Sequence, residues 1–185
     1  MKKNYLFMGK ILLSLSILLV IIFLTGCVYT ETTFDINENG KADVALVIKA
    51  DKIMAGDEVN TFVWALINSF PELQNNYEIK KEIKEIDYSD YLFYTFKSKE
   101  PFDINSNSFV EFKKENDKYN FRLKVPSLIE EVTEDNKDDL VFVIKINLPK
   151  EIDMANSRII EGNTVTWKIT KADLIKGIEL KAFTR

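Results

Sequence analysis

The side chains best placed to do chemistry lie near the amino terminus, where Cys27, the only cysteine in the chain, directly follows Leu24, Thr25 and Gly26. Lys2 and Lys3 come first, an apolar run from Ile11 to Leu24 follows, and the small residues Thr25 and Gly26 close the segment. That is the layout of a secretory signal, with the cut falling before the cysteine. An uncleaved transmembrane helix needs about 20 consecutive apolar residues, and Lys10 confines this run to residues 11–24. Elsewhere the chemistry is bounded by what is missing. The chain has no histidine, which removes Ser-His-Asp and Cys-His catalysis and nitrogen-sulfur zinc sites. The six glycines form no phosphate-binding or dinucleotide pattern. Paired carboxylates stay open among 29 acidic residues, and with them a glycosidase-type hydrolase.

The segment Leu24-Thr25-Gly26-Cys27 resembles the lipobox of bacterial lipoproteins. The resemblance implies removal of residues 1–26 as a signal peptide and a diacylglyceryl thioether on Cys27, which becomes the new amino terminus and can take a third acyl chain. Two acyl chains suffice for stable anchoring, each buried methylene contributing about 0.8 kcal/mol. The expected location is therefore the extracytoplasmic side of the cell membrane. With the single cysteine committed to lipid, no disulfide is available, and residues 27–185 must fold on their core alone as one domain.

Loss of Lys2, Lys3 and Lys10 with the signal takes the formal charge from −4 to −7. An acidic domain argues against nucleic acid and against docking through a basic patch, both of which need clustered Lys and Arg. Asp35-Ile36-Asn37-Glu38-Asn39-Gly40 imitates the start of a calcium loop, but Leu46 stands where the twelfth-position glutamate is required. A hairpin turn is the better reading, and no metal or other cofactor is expected. The acidic group Glu130, Glu131, Glu134, Asp135, Asp138 and Asp139 reads as a solvated surface.

The elements that carry these residues show in the periodicity. Residues 28–36 and 42–48 alternate as a hairpin about Asn39-Gly40. Val59, Phe62, Val63, Leu66, Ile67 and Phe70 follow helical spacing, with Pro71 as its stop. Trp64 falls roughly 140° from Val59, off that stripe, which suits either the flank of a broad apolar face or a membrane contact. Strands are expected at 79–86, 91–98, 109–113, 119–125, 140–148, 158–160, 164–169 and 178–183, a loop or helical turn at 102–108, a short helix or mobile loop at 127–139, and a helical turn at 171–176. The resulting fold class is α+β, a curved, mainly antiparallel sheet with one principal amphipathic helix.

Leu148-Pro149, Ala155-Asn156 and Gly162-Asn163-Thr164-Val165-Thr166-Trp167, together with the opening hairpin, resemble the mycobacterial LppM-like lipoprotein domain family across nearly all of residues 27–185. The resemblance implies a small sheet-and-helix domain that binds lipid or glycolipid in an apolar cavity. Phe62, Trp64, Leu66 and Trp167 are the candidate ligand-binding residues. Read from the residues alone, Asn156 bonds backbone at a turn and Trp167 fills the core, and the aromatic side chains either pack an interior or line a pocket. The expected function is a non-enzymatic, membrane-anchored lipoprotein that binds an amphipathic ligand. The alternative is an envelope assembly protein holding a protein partner through a sheet edge or the acidic loop near Asp135.

Overall fold

The computed structural model describes residues 28–106 and 108–185. Cys27 and the rest of the expected lipobox and signal segment lie outside them. The described chain runs β1 Val28–Ile36, β2 Lys41–Asp51, α1 Gly56–Ser69, α2 Pro71–Asn76, β3 Tyr77–Ile86, β4 Ser89–Ser98, β5 Phe102–Asp103, a 3-10 turn at Ile104–Ser106, β6 Val110–Glu115, β7 Lys118–Val125, β8 Leu140–Asn147, β9 Ile152–Ala155, β10 Ile159–Glu161, β11 Thr164–Thr170, α3 Lys171–Lys176 and β12 Ile178–Thr184.

The strands form two sheets. The larger has the order β10-β11-β8-β1-β2-β4-β3, with β5 pairing beside β2, and the smaller has the order β6-β7-β12-β9. This corrects the expectation of one sheet with one principal helix: the described residues are mostly strand, in two sheets with three short helices. The α+β class still broadly fits. Alternation reveals that a segment is a strand but is silent on its partner, and here β1 pairs in parallel with β8, Thr30 opposite Phe142, across a long intervening stretch of chain. Pro71 also proves to be more than a stop. It takes the first turn of α2, where its missing N–H costs nothing.

Two tight turns set the registers of the longest hairpins. Asn37 Oδ1 accepts from the N–H groups of Asn39 at 3.0 Å and Lys41 at 3.1 Å. That side chain is therefore occupied by the β1–β2 turn, and Gly40 takes its positive φ of 72°. The β3–β4 hairpin turns through Asp87 and Tyr88, both at positive φ, as a two-residue hairpin requires.

Even-numbered residues of β2 and β4 face inward: Val44, Leu46, Ile48, Leu92, Tyr94 and Phe96 are all buried. Register extends these rows across the sheet, so that Trp167, Ile144, Thr32, Leu46 and Phe96 stand side by side on β11, β8, β1, β2 and β4. The inner face has two covers. Helix α1 packs on β2 and β4 through Val59, Val63, Leu66 and Ile67, and Tyr94 Oη donates to Asn60 Oδ1 on that helix at 2.5 Å. The smaller sheet covers the β11 side, where Phe121 of β7 lies 6.4 Å from the Trp167 ring.

Candidate functional site

The four candidate ligand residues do not converge on one point. Leu66 is buried under α1, Phe62 is half-buried against the same core, and Trp64 is 51% exposed on the helix's other side. Trp167 is buried beneath the smaller sheet. Its strand stands three strand spacings from β2, about 14 Å at the usual separation. Leu66 and Trp167 share one continuous core, and Trp64 takes no part in it.

Trp167 is held by a bracket. Its Nε1–H donates to Asn156 Oδ1 at 3.1 Å, and the same oxygen accepts from the Lys181 backbone N–H at 2.7 Å. Asn156 Nδ2 donates in turn to the Glu179 carbonyl at 2.6 Å. One amide thus joins the end of β9 to β11 and β12, and the indole has no spare polar atom to offer a ligand.

The inner face of β1 and β8 is unevenly closed: Val28, Thr30, Ile36, Ile144 and Ile146 are buried and Thr32 is half-buried. Phe34 and Phe142 are only half-buried against the core, whereas Val44 and Ile146, which flank Phe34 in the register, are buried. Phe62 reaches this core from α1, and Leu128 and Ile129 reach it from the loop before β8. A set of half-open aromatic and aliphatic side chains can take up apolar surface but has no means to act on it chemically. The sequence pattern marked Phe34 and Phe142 as strand positions, and nothing in the alternation separated them from fully buried neighbours.

The outer face of the larger sheet is polar and aromatic together. Glu31 accepts from Tyr29 Oη at 3.2 Å and from Lys145 Nζ at 2.8 Å. Burial first, and then the neighbouring Glu31 carboxylate, push the Tyr29 hydroxyl up to about 12 from its ordinary value of 10.0. Lys49 Nζ sits 4.0 Å from the centre of the Tyr91 ring.

The acidic segment before β8 is a loop with turns at residues 134–138 rather than a helix. It is tied down: Lys171, nearly buried at the start of α3, bonds Asp139 at 2.9 Å, and the Lys171 and Ala172 backbone N–H groups donate to the Asp139 and Lys137 carbonyls. Glu134 pairs with Lys137. Among the described residues, no group of three acidic or other metal-binding side chains is placed to hold a metal ion, and no helix is long and apolar enough to cross a membrane.

No protein-family model matches the chain, and no curated protein matches it. Among solved structures it is similar to the NMR structure of the folded domain of the LppM protein of Mycobacterium tuberculosis, with 13% identity and a TM-score of 0.48 over 86% of this chain and 90% of that one. That figure is a loose likeness between two chains and assigns no residue a role.

Proposed function

We propose that the mature chain is a non-enzymatic lipoprotein, anchored through Cys27 on the extracytoplasmic side of the cell membrane, whose domain takes up a lipid or other amphipathic molecule. The observation that carries the anchor is the run Leu24-Thr25-Gly26-Cys27 behind a basic and apolar leader, with the sole cysteine placed directly before β1. The ligand reading is supported by three phenylalanines, Phe34, Phe62 and Phe142, that are only half-buried against the core and leave apolar surface open. An acyl chain is flexible and apolar, and such a surface suits it better than it suits a polar metabolite.

The test is mass spectrometry of the full chain purified from bacterial membranes. Two or three covalent acyl chains on Cys27, absent in Cys27→Ser, are expected, together with a discrete non-covalent lipid mass that diminishes in Phe34→Asn and Phe62→Asn. A covalently acylated but otherwise bare protein would discard the ligand and leave the anchor.

A second reading is favoured by one surface. Ile159 and Ile160 on the edge strand β10 and Met154 on the edge strand β9 are exposed, and an uncovered strand edge is a template for a partner's backbone. On this reading the protein holds an envelope protein at that edge, and photo-crosslinking from position 154 in membranes would yield one discrete adduct.

A further inference from the structure

Among the described residues, the three most exposed large apolar side chains lie together at one end of the larger sheet. They are Tyr88 at 98%, Ile53 at 89% and Met54 at 68% exposure. The turn after β2 carries Ile53 and Met54, and the β3–β4 turn carries Tyr88. The two turns are fastened to each other: the Lys52 backbone N–H donates to the Asp90 carbonyl, and Lys52 Nζ pairs with the Asp90 carboxylate, each at 2.9 Å. Asp51 fixes the first turn from within, accepting from the Ile53 and Met54 N–H groups at 2.9 and 3.0 Å.

This end is also where the chain leaves the signal. Val28, the residue after Cys27, is paired with Ala50, and Ala50 with Leu92. The apolar tips therefore sit within a few residues of the proposed lipid attachment, with no linker between that cysteine and the sheet. The opposite end of the same hairpin, Asn37 to Gly40, is polar and lies about 30 Å away, the length of a nine-residue strand at 3.3 Å per residue.

None of the three side chains belongs to the core or to the residues packed against it, and Tyr88 occupies a positive-φ position, 66°, where Gly or Asn would serve the turn better. Tyr is at home where one end of a side chain is apolar and the other wet, as at a bilayer's headgroup level. Within four residues of the tips along the chain stand the acids Asp51, Asp57, Glu58, Glu85, Asp87 and Asp90 against Lys49, Lys52 and Lys84, of which Lys52 and Lys84 are paired with carboxylates, so attraction to anionic headgroups does not drive the contact.

We infer that Ile53, Met54 and Tyr88 form a membrane-contact tip that enters the headgroup region beside the anchor and stands the larger sheet upright on the bilayer. The inference rests on the anchored reading proposed above and adds a fixed orientation to it.

The experiment uses the full chain purified from bacterial membranes and reconstituted in phosphatidylethanolamine–phosphatidylglycerol vesicles. Cysteines are introduced singly, as Ile53→Cys, Met54→Cys, Tyr88→Cys and, as a control, Asn39→Cys, and are labelled with a polarity-sensitive fluorophore. Probes at 53, 54 and 88 are expected to shift to the blue and to be quenched by spin-labelled lipid, independently of the phosphatidylglycerol fraction, while the probe at 39 does neither. The pair Ile53→Asp and Met54→Asp should abolish quenching at 88. If all four probes behave like the one at 39 while the unmodified chain takes no thiol reagent at Cys27, the tip is overturned and the anchor stands. If Cys27 reacts as a free thiol, the anchor fails, and the probes are repeated in Cys27→Ser: quenching there upholds the tip, and its absence overturns it.

Discussion

Asn156 accepts the indole N–H of Trp167 at 3.1 Å with the same oxygen that accepts the backbone N–H of Lys181. A single amide on an otherwise exposed residue therefore couples the edge of the smaller sheet to the most heavily aromatic part of the core. Asn156→Ala should cost about 1–2 kcal/mol, because a partly buried indole donor and a strand N–H both lose their acceptor. Asn156→Asp keeps the accepting oxygen but sets a carboxylate oxygen against the Glu179 carbonyl, where the amide had donated, so its urea midpoint should also fall below that of wild type. An unchanged midpoint in Asn156→Ala would mean that the bracket carries no weight.

The pair Lys171 and Asp139 is lopsided, with the ammonium almost wholly enclosed and the carboxylate nearly half in water. Removing the carboxylate's charge strands the ammonium, whereas removing the ammonium leaves Asp139 free to hydrate. Asp139→Asn is expected to destabilise the fold by about 1–3 kcal/mol, and Lys171→Met by less. Chemical denaturation of the two variants measures the difference, and the reverse ranking would show that Lys171 matters through its backbone and stem alone.

Gly177 and Gly162 both hold positive φ, at 70° and 62°. They differ in their surroundings. A Cβ at Gly177 would meet the Ser127 nitrogen and the Val125 carbonyl at 3.1 Å, while one at Gly162 meets nothing within 4 Å. Gly162→Ala should cost about 1–2 kcal/mol from conformation alone. Gly177→Ala should cost more, since backbone rather than a flexible side chain must give way, and its thermal midpoint should fall below that of Gly162→Ala.

The Tyr29 hydroxyl, raised to about 12 in the folded chain, ionises near 10.0 once unfolded. Its folded pKa is the higher one, so its contribution to stability is complete below pH 10 and is lost as pH rises through 12. Tyr77 adds to the same trend, its hydroxyl being pushed up by burial. The expected outcome is a denaturation midpoint that declines above pH 10, with the decline reduced in Tyr29→Phe. Phenolate absorbance of the native chain should show these hydroxyls still protonated above pH 10.

Local grammar was legible in the chain, and long-range pairing was not. The Asn39-Gly40 turn, the helical stripe from Val59 to Ile67 and the hairpin about Gly162 each announce themselves within a dozen residues, because backbone preference and side-chain period act at that range. The parallel union of Thr30 with Phe142 and the division into two sheets depend on which strands meet, and all strands with the same alternation look alike beforehand. β9, Ile152–Ala155, was not foreseen because only Ile152 of its four residues is buried, leaving no alternation to read. Trp64 is exposed, in keeping with its angle on the helix, but the half-burial of Phe34 and Phe142 depends on what other segments pack over them, which no single segment reveals.

The central place of β1 has a mechanical consequence. Its neighbours are β2 on one side and β8 on the other, bonded along most of its length. A tug applied at the Val28 end along the strand axis loads two ladders in shear together, rather than peeling one bond at a time from an edge. A pull at that end is thus met by the strand that the sheet holds from both sides, and more bonds resist it together than if the load fell on an edge strand.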